Sequence, residues 1–150
     1  MRVDKIEILE DNETEICKIE EVCNKLVEVD KANYSIDKAS QFKNRKHCDA
    51  IIYGNIDDNK IIVLLEVTGK HIKREDYEDK MENVENYIKS MDEHKSSKII
   101  RAIHSDKGFG KDMSEHNLKH HVYPIRCNKN RSLCEIVKEA YSETRRNKKS

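Results

Sequence analysis

The chain is poor in the residues that mark fibrous, membrane-spanning and secreted proteins. One Pro and four Gly among 150 residues exclude a collagen-like or low-complexity chain. There is no Trp, and aromatic residues make up only 5%, so any core must be built mainly from aliphatic side chains. The longest apolar run, Ile61 to Leu65, falls far short of the roughly 18 to 20 residues that a membrane span needs. Met1-Arg2-Val3-Asp4 does not open a secretory signal, so a cytoplasmic protein without membrane contact is expected. The five cysteines, Cys17, Cys23, Cys48, Cys127 and Cys134, form no CxxC pair and are odd in number. Neither a disulfide framework nor a four-thiolate zinc site is expected, and they read as small core residues. His116, His120 and His121 lie close together but lack a suitably spaced cysteine, which argues against structural zinc. No internal repeat at a solenoid period is found.

What remains has the composition of one globular domain spanning residues 1–150. Charged residues make up 39% and hydrophobic ones 36%, the latter gathered into short periodic blocks. The 29 basic and 29 acidic side chains cancel, yet they are unevenly placed. The net charge is −6 over residues 1–30, +4 over 31–48, −5 over 49–97 and +7 over 98–150. Lys and Arg act locally on phosphates, so this asymmetry is compatible with a polyanion on one face. Residues 145–150 read as a solvated basic tail.

Residues 3–9 alternate loosely. Asn12 or Thr14 can then cap a helix to about Asp30, with Ile16, Ile19, Val22, Cys23 and Leu26 on its apolar stripe. A short strand is expected within Ser35 to Phe42. Cys48 to Tyr53 and Lys60 to Val67 read as antiparallel strands joined by a loop from Gly54 to Asn59. Tyr77, Met81, Val84, Ile88 and Met91 mark an amphipathic helix from Arg74 to about Asp92. Strands over Lys98 to His104 and Val122 to Cys127 follow, separated by Gly108-Phe109-Gly110, which lacks the spacing of a phosphate-cradling loop. A last helix is expected with Leu133, Ile136, Val137, Ala140 and Tyr141 inward. The pattern is α/β, with a single mixed β-sheet flanked by helices.

Two carboxylates bound apolar strands instead of lying on a polar face: Asp49 before Ala50-Ile51-Ile52-Tyr53, and Glu66 after Ile61 to Leu65. The ends of a short hairpin meet, so the two acids should converge at one edge of the sheet. Either they simply mark strand ends, or they form an oxygen-donor site for Mg²⁺ or Mn²⁺, a metal that can activate water and steady charge on a phosphate. At 100° per residue, Glu15 falls about 40° from the centre of the first helix's apolar stripe and is expected to face the sheet, as a capping acid or as part of a polar site. Strand periodicity puts Glu66, Thr68 and Lys70 on one face, so Lys70 can bring a cation back toward the acids.

These residues resemble the PD-(D/E)XK nuclease superfamily, and in pattern most of all archaeal Holliday-junction resolvases. The resemblance rests on Glu15 in the first helix, on Ser40-Gln41-Phe42-Lys43-Asn44-Arg45-Lys46 ahead of His47-Cys48-Asp49, and on Leu64-Leu65-Glu66-Val67, over roughly residues 13–126. It implies a restriction-endonuclease-like αβββαβ core and metal-dependent hydrolysis of DNA. Asp49, Glu66 and the Val67 carbonyl would be metal ligands and Glu15 the first-helix acid. Ser40 and Lys43 would face substrate, with Arg45 and Lys46 beside them on DNA. Resolvases act as dimers, so the resemblance also implies a homodimer. Thr68 stands where the family has Lys, and the expected replacement is Lys70. Three function classes remain open. One is a metal-dependent endonuclease, structure- or branch-specific by the resemblance. A second is a non-cleaving nucleic-acid-binding module using Lys43, Arg45, Lys46, Arg126, Lys129 and Arg131. The third is a protein-interaction domain.

Overall fold

The computed structural model describes residues 2–10, 12–26, 35–38, 42, 46–68, 74–105 and 122–126. Within them lies one six-stranded mixed sheet. Its strands are β1 (Arg2–Ile8), β2 (Ser35–Lys38), β3 (Ala50–Ile56), β4 (Asn59–Thr68), β5 (Lys98–Ser105) and β6 (Val122–Arg126), in the spatial order β2-β1-β3-β4-β5-β6. Helix α1 (Glu13–Leu26) lies between β1 and β2 in the chain, and α2 (Arg74–Lys89), followed by a 3-10 turn at Asp92–His94, lies between β4 and β5. The expected α/β class and single mixed sheet are present. The order helix, three strands, helix, strand runs from α1 to β5, but β1 precedes it and wedges between β2 and β3 in space. The expected last helix, the histidine group and Gly108 to Gly110 lie outside the described residues.

Local sequence explains most of these elements. Asn12 caps α1 as expected: its Oδ1 accepts the N–H groups of Thr14 (2.9 Å) and Glu15 (3.2 Å). A register shift between Val3 and Lys5 in the β1–β3 pairing lets Val3, Ile6 and Ile8 all join one core. The hairpin turn is tighter than expected. β3 runs through buried Gly54 to Ile56, and only Asp57 and Asp58 form the turn, both left-handed with φ of 49° and 66°. Such a turn matches the strands' natural twist. Ile61 to Leu65 is apolar throughout because both sides of β4 are covered.

One core holds Ile16, Ile19, Val22 and Cys23 of α1 against Ile8, Ile52, Val63 and Ala102. The other holds Tyr77, Met81, Val84 and Ile88 of α2 against Ile51, Ile62, Leu64 and Ile103. The helices therefore lie on opposite faces, and the topology explains why. β1 and β4 run the same way, since each is antiparallel to β3. Their crossovers lead outward in opposite directions, to β2 and to β5, in parallel pairings. With a common right hand, reversed directions put the two helices on different faces. In open α/β sheets such a reversal leaves a crevice at the carboxyl ends of the strands. No helix among the described residues is long and apolar enough to cross a membrane.

Candidate active site

The carboxyl ends of β1 and β4 flank the start of β3, and three acids stand there: Glu10 after β1, Asp49 before β3 and Glu66 near the end of β4. Asp49 is fixed by its backbone on both sides. Its N–H donates to the Leu65 carbonyl (2.9 Å), and its carbonyl accepts from the Leu9 N–H (2.9 Å). Its carboxylate continues the ladder, with Oδ2 accepting the Val67 N–H at 2.7 Å. The described role of Val67 is thus that of an amide donor to Asp49.

Asp49 and Glu66 meet as the hairpin reading expects, and both are buried, at 8% and 6% exposed. The two side chains are near enough for each to alter the other's ionisation. Bringing two carboxylates together in a buried site favours a proton or a cation there. Burial pushes Asp49 up to about 6, against the Val67 N–H and with help from Glu10. Burial and then the charge of Asp49 push Glu66 up to about 8, with Lys80 opposing. Glu66 Oε1 takes the Lys80 ammonium at 3.3 Å, whereas Oε2 is buried without a hydrogen-bond donor among the described residues. That orphaned oxygen beside a second carboxylate suits a hard divalent cation. Among the described residues, however, no group of three or more His, Cys, Asp or Glu is gathered closely enough to hold a metal. Asp49 and Glu66 are the two buried carboxylates among the described residues.

The expectation that Glu15 joins them is corrected. Glu15 is exposed, and its Oε1 lies 3.9 Å from the Lys18 ammonium. Helical side chains lean toward the N-terminus, so a first-turn residue reaches past the helix end into water whatever its angle to the stripe. Glu10 is the nearby third acid; its charge raises both Asp49 and Lys80. Lys46 is exposed beside Asp79 of α2, at 3.6 Å, and the Asn83 amide donates to its carbonyl at 3.3 Å. Ser40, Lys43, Arg45 and Lys70 lie outside the described residues.

The cation beside the acids comes from α2. Lys80 sits at the flank of the stripe formed by Tyr77, Met81, Val84 and Ile88, about 70° from its centre. Burial opposes its charge, but Glu66, Asp49 and Glu10 outweigh that and hold its pKa above the ordinary lysine value. Its place at the stripe's edge is legible from the spacing of α2, whereas its position beside Glu66 is set by packing between elements. His47 donates Nδ1–H to the Cys48 carbonyl (2.8 Å), which can only accept, and the same nitrogen is 4.0 Å from Glu10 Oε1. Cys48 is fully buried; burial and the charges of Glu66 and Asp49 hold its thiol well above the ordinary range. No family model matches the chain, and no curated protein or solved structure matches it.

Proposed function

We propose that the protein is a metal-dependent nuclease that hydrolyses phosphodiester bonds in DNA. The observation carrying this reading is the buried Asp49–Glu66 pair, set at the carboxyl ends of the strands with one oxygen lacking a donor and an ammonium at its side. Asp49 and Glu66 would hold Mg²⁺ or Mn²⁺, which when bound activates water and stabilises charge on the scissile phosphate. The chain's own residues do the rest. The Val67 N–H orients Asp49, and the flanking strands fix its backbone so that the carboxylate cannot swing away.

The resemblance to resolvases supports a branched substrate, a homodimer and action in the cytoplasm. The basic residues Lys43, Arg45 and Lys46, in the segment that precedes Asp49, suit the phosphate backbone beside the cleaved bond. The test is incubation of four-way-junction and linear DNA with Mg²⁺ or Mn²⁺, comparing the wild type with Asp49→Asn and Glu66→Gln. Metal-dependent products are expected from the wild type and neither variant should yield them. Undiminished cleavage by either folded variant would end the proposal, and salt-sensitive DNA binding without products would point to a non-cleaving module.

A further inference from the structure

Lys80 has a second consequence for the same site, and it rests on the nuclease reading. An ammonium within reach of a scissile phosphate would be its direct partner, yet here it is already committed to Glu66 Oε1 at 3.3 Å. The two side chains are unequally placed. Glu66 is almost fully buried and fixed on a central strand, whereas Lys80 retains 41% of its side-chain exposure on a helix flank, with a long stem free to turn. Glu66 pairs with it, and the charges of Asp49 and Glu10 also favour its ammonium. A divalent cation bound by Asp49 and Glu66 would cancel most of the field that holds the ammonium inward. We infer that Lys80 is the phosphate ligand of this site, and that the Asp49–Glu66 pair withholds it from DNA until a divalent cation takes the carboxylates. Metal and DNA would then bind with positive coupling, because each favours the same position of one lysine.

The inference separates from simple charge repulsion by a double-mutant cycle without metal. Asp49→Asn with Glu66→Gln removes the pair's charge while keeping its shape, imitating neutralisation by the cation. Binding of a labelled oligonucleotide in EDTA is measured over a range of salt, in the Lys80 and the Lys80→Met backgrounds. With Lys80 present, neutralising the pair should tighten binding roughly threefold to tenfold and steepen the salt dependence by about one phosphate contact. With Lys80→Met the same neutralisation should change little, while Lys80→Arg, which keeps the charge, should behave as the wild type. Equal tightening in both backgrounds would show that the acids merely repel DNA, and would overturn the inference while leaving metal-dependent cleavage by the wild type intact. Absence of DNA binding in every folded variant, together with absence of cleavage, would overturn both.

Discussion

Glu66→Gln should make the metal-free protein more stable, by an amount that grows with pH. In the unfolded chain Glu66 ionises near its ordinary 4.5, whereas in the fold it holds its proton up to about 8. Between those values the native state binds more protons than the unfolded one, so stability falls as pH rises through the window. An isolated carboxyl displaced that far would cost on the order of 5 kcal/mol at about 1.4 kcal/mol per pH unit. Asp49 shares the site and carries part of this, so the single substitution should recover less, on the order of a few kcal/mol. Two-state unfolding in urea or by heat, in EDTA from about pH 4 to about pH 9, measures the effect. The two proteins should coincide near the acid end and diverge to about 4–8 °C in Tm near pH 8. Saturating Mg²⁺ should then raise the wild type and leave the variant unmoved. A gap constant across pH, or a less stable variant near pH 8, would refute the reasoning.

Other perturbations read separate parts of the molecule. Glu85 accepts from Arg101 Nε at 3.1 Å and pairs with Lys89 at 3.2 Å; burial opposes its ionisation, but these cations outweigh it and hold its pKa below the ordinary value. Glu85→Gln should therefore destabilise at neutral pH, with the deficit vanishing as pH falls through the wild-type carboxyl's titration, as followed by pH-dependent unfolding. Asp58→Gly should add about 0.5–1 kcal/mol in urea unfolding, since glycine takes the left-handed φ of 66° freely; a loss would mean that the aspartate supplies something else to the turn. Cys17 is exposed while Cys23 and Cys48 are buried, with Cys23 pushed up to about 12 by burial and then by Asp49 and Glu20. Peptide mapping after native alkylation should find Cys17 modified and the other two untouched until denaturant is added.

The features legible from sequence are those that one element's own periodicity determines. The uninterrupted Ile61 to Leu65 run signalled a strand of an antiparallel hairpin, and the acids at Asp49 and Glu66 signalled a polar end to it. The stripe of α2 was equally plain. Features set between elements were not. Lys80 belongs to the site only because α2 packs with its flank above the end of β4, and no spacing within α2 states that. Glu10 follows a loosely alternating stretch whose place beside β3 depends on long-range pairing. Glu15 misled because an angular position on a helix was treated as burial, which fails in the first turn. Gly54 looked like loop chemistry, yet a buried glycine fits inside a strand when the polar turn begins three residues later.

The two-residue turn between β3 and β4 has a kinetic corollary. A hairpin this tight closes on the order of microseconds, long before a helix docked from farther along the chain finds its place. The nascent protein would therefore pass through a stage with its two acids already pressed together and no counterion yet at hand. Their charges would be balanced only when α2 docks and brings the Lys80 ammonium to Glu66, so the late helix completes what the early hairpin begins.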